Sequence, residues 1–255
     1  MTAPSFHWWR TVFYLIPMIG LYTIVLGTVS ILSSFLGGRG HFAHACARTW
    51  SRLILLTTGV RVTVRGLERL TPGSTYVFVS NHQSIYDIPV IFWALPYQVR
   101  IIAKESLGAF PFLGWHLRRT GHLLVDRRNP DRGGILRRWR ELLQQGLSLI
   151  IFPEGTRSPD GRVHRFKAGS FLLAIEAGLP VVPISIVGTR FVMPKGQLTT
   201  SPGSASLVVH APIVTTDGSW QVTIEEARRL GAQVQGVIAA RVEADERAAG
   251  TWPSA

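Results

Sequence analysis

Cysteine is almost missing from this chain of 255 residues: Cys46 stands alone, which excludes an intramolecular disulfide framework and any thiolate cage around a metal. Lysine is scarce as well, represented only by Lys104, Lys167 and Lys195, so arginine carries most of the positive charge. Charged residues of both signs make up 16% of the chain, against about 25% in an average soluble domain. Acidic residues are the scarcer sign, 15 against 27 basic ones, for a formal net charge of +12. Low charge beside 46% hydrophobic residues excludes disorder for the bulk of the chain, and the length allows one large domain or two small ones. Familiar site patterns are missing too. There is no G-x-S-x-G, no G-x-x-x-x-G-K-[ST], no G-x-G-x-x-G after a strand and no H-E-x-x-H, which argues against a common serine hydrolase, a P-loop enzyme and a zincin.

An arginine-rich surface suits phosphates, because the guanidinium fork matches phosphate geometry. Nucleic acid, anionic headgroups and phosphorylated small molecules share that property. The N-terminus decides among them. Thr11 to Gly38 are 28 consecutive residues without a formal charge, about 42 Å as a helix, more than the ~30 Å hydrocarbon core of a bilayer requires. Trp8, Trp9 and Arg10 precede the run as an aromatic and cationic interfacial anchor. The run exceeds the apolar region of a signal peptide, and Pro17, Gly20 and Gly27 can bend it into a re-entrant hairpin. A second helix is expected over His41 to Thr58, where His44, Arg48 and Arg52 mix with Phe42, Trp50 and Leu53–Leu55. Such a helix lies either in the membrane interface or on the domain core.

From Val60 onward β-branched runs alternate with helical patterns. Strands are expected at Arg61–Val64, Thr75–Val79, Arg100–Ile102, His122–Val125, Ser148–Phe152, Val181–Ile186 and Ser206–Val209. Helices are expected at Ser84–Leu95, Asp131–Gln145, Ala168–Ala177 and Thr223–Ala248. The alternation predicts an α/β domain with a largely parallel central sheet flanked by helices. The expected organisation is a membrane-associated helical region over residues 1–58, the α/β domain over 59–248 and a flexible tail over 249–255.

Directly after the second expected strand comes Asn81-His82-Gln83-Ser84-Ile85-Tyr86-Asp87. The carboxyl ends of strands are where parallel α/β sheets build their sites. Ser84 is the expected N-cap, with His82 just outside the helix and Asp87 one turn inside it. Asp87 can then fold back to bond one ring nitrogen of His82, fixing its tautomer and stabilising the imidazolium formed when the other nitrogen takes a proton. The chemistry implied is activation of an alcohol. Spacing alone does not separate this pair from a capping histidine beside a surface aspartate; a second segment does. Phe152-Pro153-Glu154-Gly155-Thr156-Arg157-Ser158 also follows a strongly apolar strand. There Pro ends the strand, Gly allows close backbone approach, Arg157 can clamp a phosphate, and Glu154 can orient it or hold a substrate hydroxyl. Lys104 and Arg127 stand at two further strand exits.

Together these segments resemble the glycerolipid acyltransferase family. His82 and Asp87 are similar to its H-x4-D block, Gly121–Arg127 to its second block, Phe152–Ser158 to its third and Val181–Ile186 to its fourth, in the family's order. Lys104–Leu107 and Pro111–Trp115 resemble its connecting segment, and His122 departs from it where an apolar residue is commoner, a change that bears on substrate fit. The resemblance implies that His82, oriented by Asp87, takes the proton from the free hydroxyl of a lysophospholipid, with lysophosphatidic acid as the family default. The oxygen then attacks the thioester of acyl-CoA or acyl carrier protein, with no covalent acyl-enzyme and no metal or redox cofactor. Lys104, Arg127, Glu154, Gly155, Thr156 and Arg157 are expected around the acceptor phosphate, and backbone amides near Asn81–Ser84 are expected as oxyanion donors. A bilayer with anionic headgroups is the expected partner, at the cytoplasmic face of a bacterial inner membrane. Nucleic acid is not expected, since no recognition signature with interleaved aromatics is present. The alternatives are another lyso-lipid acceptor, such as lyso-ornithine lipid, and a non-catalytic basic membrane-binding protein.

Overall fold

A computed structural model of the chain describes residues 5–33, 35, 40–126, 132–176, 178–215 and 223–252. Seven strands form one sheet: β1 Val60–Arg65, β2 Val77–Ser80, β3 Val99–Lys104, β4 Leu123–Val125, β5 Ser148–Ile151, β6 Val181–Val187 and β7 Gly203–Val209. Every strand expected from β-branched patterning is present. Their order is β1-β7-β6-β2-β5-β3-β4. Strands β6, β2, β5, β3 and β4 run parallel, whereas β7 meets β6 antiparallel and carries β1 parallel to itself. The mixed edge explains how a parallel core ends without another crossover helix.

The central strands are buried on both faces, and their side chains divide by the period of two. Phe78 of β2, Ile150 of β5 and Val182, Ile184 and Ile186 of β6 face one core layer. Val77 and Val79 of β2 with Leu149 and Ile151 of β5 face the other. The first layer is closed by α3 His41–Thr58 and α4 Asp87–Ala94. The second is closed by α6 Arg132–Gln144, α7 Gly169–Glu176 and α9 Ile224–Ala248. Helix α9 begins on a capping box, Thr223 with Glu226, and presents Ala227, Val234, Ile238 and Val242 to the sheet. Two short helices, α5 Leu113–Arg119 and α8 Thr189–Val192, were not expected, because a turn or two of helix has no periodicity to read.

The N-terminal segment forms α1 Phe6–Arg10, a π-helical turn Thr11–Leu15 and α2 Ile16–Ser33, continuous over Phe6–Ser33 and apolar enough, by length and composition, to cross a membrane. The expected helix over Thr11–Gly38 therefore starts earlier, and residues 36–39 lie outside the described part. Helix α2 packs on α3 and α5. Polar contacts mark that seam: Tyr22 Oη lies 2.9 Å from Thr57 Oγ1, and Trp50 Nε1–H donates to Thr23 Oγ1 at 3.0 Å. Arg10, expected as a headgroup anchor, instead donates to the carbonyls of Thr57 and Thr58 at the end of α3, where a cation meets the negative end of the helix dipole. The outward side exposes Phe13, Leu21, Ile24, Val25 and Leu32, an apolar stripe.

Behind that helical pair lies an unusual set of buried polar groups. Burial first, then the Arg100 charge, pushes the pKa values of His44 and His116 down to about 4 and that of His122 well below its ordinary value. The unfolded chain takes up protons below pH ~6.5 that the folded chain refuses, so stability is full above that pH and is lost as pH falls towards 4. The melting temperature should be flat above about pH 7 and fall steeply between roughly pH 6.5 and 4. An unchanged melting temperature from pH 7 to 5 would contradict the burial of three neutral imidazoles.

Candidate functional site

Three neighbouring strands end together at the middle of the sheet: β2, flanked by β5 and β6. Beyond their carboxyl ends lie His82, the segment Phe152–Ser158, and Gly188-Thr189. Asn81 fixes the first of these. Its side chain donates to Ile186 O and accepts from Ile186 N, both at 2.8 Å, extending the β2–β6 seam one step past the last backbone pair, Ser80 with Ile184.

His82 Nδ1 lies 2.7 Å from Asp87 Oδ2. Asp87 is fully buried and accepts from the Gln83 and Ser84 amides at 2.7 and 3.0 Å and from the Thr189 hydroxyl. A carboxylate surrounded by donors can only accept from the ring, so Nδ1 carries the proton and Nε2 keeps its lone pair. That is the form of a general base. The expected helix start moves, however. Helix α4 begins at Asp87 with Tyr86 as N-cap, because Ser84 Oγ donates to Met193 O and accepts from the Tyr86 amide instead. Asp87 Oδ2 takes the amides of Gln83 and Ser84, which lie just before the helix.

The second segment supports the first. The Phe152 ring stacks on His82 with centroids 4.2 Å apart. Glu154 accepts from the His82 amide at 2.8 Å and the His164 amide at 3.1 Å, while the Ser158 amide donates to His82 O at 2.7 Å. Both oxygens of Glu154 are thus used on backbone, and it holds the loop that carries His82 where a contact with substrate was expected. Burial raises its pKa while those two amides oppose the shift. Three of the expected oxyanion donors are committed for the same reason. The amides of His82, Gln83 and Ser84 all bond carboxylates, so none is available to a developing charge.

Gly155 has φ +75°, and a Cβ there would stand 2.6 Å from Lys167 Nζ, so glycine allows both the turn and the approach of that ammonium. Thr156 is exposed. Arg157 and Lys104 line one cavity together with His82, while Lys195 Nζ donates to Arg157 O at 2.7 Å. Arg127 lies outside the described residues. The cavity has a volume of about 390 Å³ and runs between the sheet and the N-terminal helices, with Leu26, Trp50, Ile88, Phe92 and Leu107 among its walls. Sequence reading missed Thr189, although Gly188-Thr189 follows β6 as His82 follows β2. Gly188 at φ +93°, with the Ser204 carbonyl where a Cβ would sit, turns the chain so that Thr189 reaches Asp87. Thr189→Val should lower kcat roughly tenfold at unchanged KM, the scale of one charge-assisted bond of about 1.5 kcal/mol; an unchanged kcat would remove Thr189 from the pair's support.

A family model described as acyltransferase matches residues 61–187. A chloroplastic 1-acyl-sn-glycerol-3-phosphate acyltransferase of Brassica napus is 34% identical over 78% of this chain and 58% of its own. The chain thus spans little more than half of that relative. The 1-acyl-sn-glycerol-3-phosphate acyltransferase of Pseudomonas aeruginosa is 30% identical over 96% of both chains. The crystal structure of PlsC, the 1-acyl-sn-glycerophosphate acyltransferase of Thermotoga maritima, superposes with a TM-score of 0.72 at 31% identity, covering 93% of this chain and 97% of that one. With full-length similarity in sequence and in fold, this chain belongs to the acyltransferase family that contains the 1-acyl-sn-glycerol-3-phosphate acyltransferases.

Proposed function

We propose that the protein transfers a fatty acyl group from acyl-CoA or acyl carrier protein to the free sn-2 hydroxyl of 1-acyl-sn-glycerol-3-phosphate, forming phosphatidic acid. The observation that carries this reading is the His82–Asp87 pair opening onto an apolar cavity that Arg157 and Lys104 also line. His82 Nε2 takes the hydroxyl proton while Asp87 stabilises the imidazolium. The acceptor oxygen bonds the thioester carbon, the C–S bond breaks, and the departing thiolate recovers the proton from His82. The acyl chain lies in the cavity. Arg157 and Lys104 hold the acceptor phosphate at its mouth, with Gly155 and Thr156 belonging to that rim and Glu154 holding the loop.

In this proposal residues 1–58 anchor the α/β domain, 59–248, to the cytoplasmic leaflet through the exposed stripe of the N-terminal helix, so a lysophospholipid reaches His82 without leaving the bilayer. The Arg-rich stretch between Arg118 and Arg140 meets anionic headgroups or the donor's phosphates. Mass spectrometry of products from purified protein, lysophosphatidate and each donor tests the reading. Phosphatidate bearing one new acyl group is expected. Acylation of lyso-ornithine lipid in preference to lysophosphatidate would reassign the acceptor, and no acylated product from either donor would refute the activity.

A further inference from the structure

The cavity follows β3 from Lys104 back to Ile101, each of whose residues lines it, a distance of about 10 Å at ~3.3 Å per residue. An acyl chain with its carbonyl at His82 points its distal part towards Ile101. An apolar chain is suited by apolar walls, yet here the lining includes His122, which accepts from the Ile101 amide, and His116 beside it. Their rings lie with centroids 5.9 Å apart. Behind them stand His44, with both ring nitrogens buried and unpartnered, and Arg100, whose Nε is likewise buried without a partner. Among the described residues no carboxylate pairs with Arg100.

The protein side of both rings is already committed. The Ile101 amide donates to His122 Nδ1 at 3.1 Å, so the neutral ring carries its proton on Nε2. Ser30 Oγ lies 2.9 Å from His116 Nδ1 and can act as donor or acceptor, which lets the free Nε2 of His116 be either. One Nε2–H donor and one adjustable nitrogen match the two hydrogen-bonding functions of an alcohol. Both rings are held neutral by burial, with pKa values pushed far below the ordinary histidine value.

We propose that the part of the cavity wall formed by His122 and His116 is a seat for a hydroxyl group on the distal part of the acyl chain, so that the two rings favour hydroxylated over plain acyl thioesters. This rests on the cavity's being the acyl chain's seat. In the bound state the hydroxyl oxygen accepts from His122 Nε2–H and its proton is donated to His116 Nε2, bridging the two rings. A plain chain leaves both nitrogens facing methylene groups.

The test is competition in the full-length protein with lysophosphatidate as acceptor. Equimolar plain and hydroxylated acyl-CoAs of one chain length are supplied, the hydroxyl being stepped from mid-chain to the terminal carbon, and product ratios are read by mass spectrometry. At one position or two adjacent ones the hydroxylated chain should win roughly fivefold or more, the scale of one added hydrogen bond. His122→Leu should reverse that preference, and His116→Leu should at least abolish it, so either variant suffices if the other fails to fold. A wild-type ratio at or below one at every position overturns the proposal, as does a preference that survives both substitutions. Plain-chain product persists in those cases, which keeps them distinct from failure of the acyltransferase reading, where no donor yields product and this inference falls with it.

Discussion

Alanine in place of His82 is expected to cut acyl transfer by roughly 10²–10⁴-fold or more, the range of general-base contributions, with the fold intact. The ring is mostly buried, and it touches Asp87 and Phe152, but the strand exit does not depend on it. His82 is held through its backbone, by Glu154 on the amide and Ser158 on the carbonyl, and alanine keeps both bonds. Asp87→Asn is expected to leave a small residual rate, because the amide side chain can still meet Nδ1 but cannot stabilise an imidazolium as an anion does. The measurement is single-turnover transfer by each purified variant, with circular dichroism as the control for folding. Near wild-type turnover in folded His82→Ala would end the mechanism proposed above.

Arg157→Lys carries the second large effect, a loss of about 10–100-fold in kcat/KM on lysophosphatidate, since a hydrogen bond to a charged group is worth roughly 1.5–3 kcal/mol. Lysine keeps the charge and loses the fork. Arg157 is half-buried on the cavity wall that His82 shares, and its main chain is held by Lys195, so the side chain can change without moving the loop. The phosphate is present before and during the reaction, so the loss should appear mainly as a raised KM for the acceptor. KM for the thioester donor should change little, and a neutral lyso-lipid should be scarcely affected. Equal losses on charged and neutral acceptors would assign Arg157 to the donor or to the loop.

The sequence by itself determined the layer architecture and which polar segments follow its strands. Apolar, β-branched runs of three to six residues fit a buried sheet, and polar residues directly after them sit at the strand ends; that reasoning found the seven strands described here, the His82–Asp87 spacing and the Phe152–Ser158 loop. The uncharged N-terminal run was legible for a similar reason, since 28 residues without charge have few environments open to them. Tertiary structure decided the rest, because each remaining feature is a contact between segments far apart in the chain. Glu154 is drawn from the expected phosphate site to the His82 backbone by orphan amides 72 and 10 residues away. Thr189 joins Asp87 across 102 residues because β6 lies beside β2, an adjacency that no local pattern encodes. Arg10 caps α3 because α2 and α3 fold back on one another, which removes it from the headgroup role its neighbours Trp8 and Trp9 suggested. His122 reads in the sequence as a departure at the start of a strand; only the packing of β3, α4 and α5 around it makes it part of a cavity wall. Local periodicity is written into side-chain order, whereas partnership across the sheet follows from strand order, and strand order is set by how the whole chain buries its two core layers.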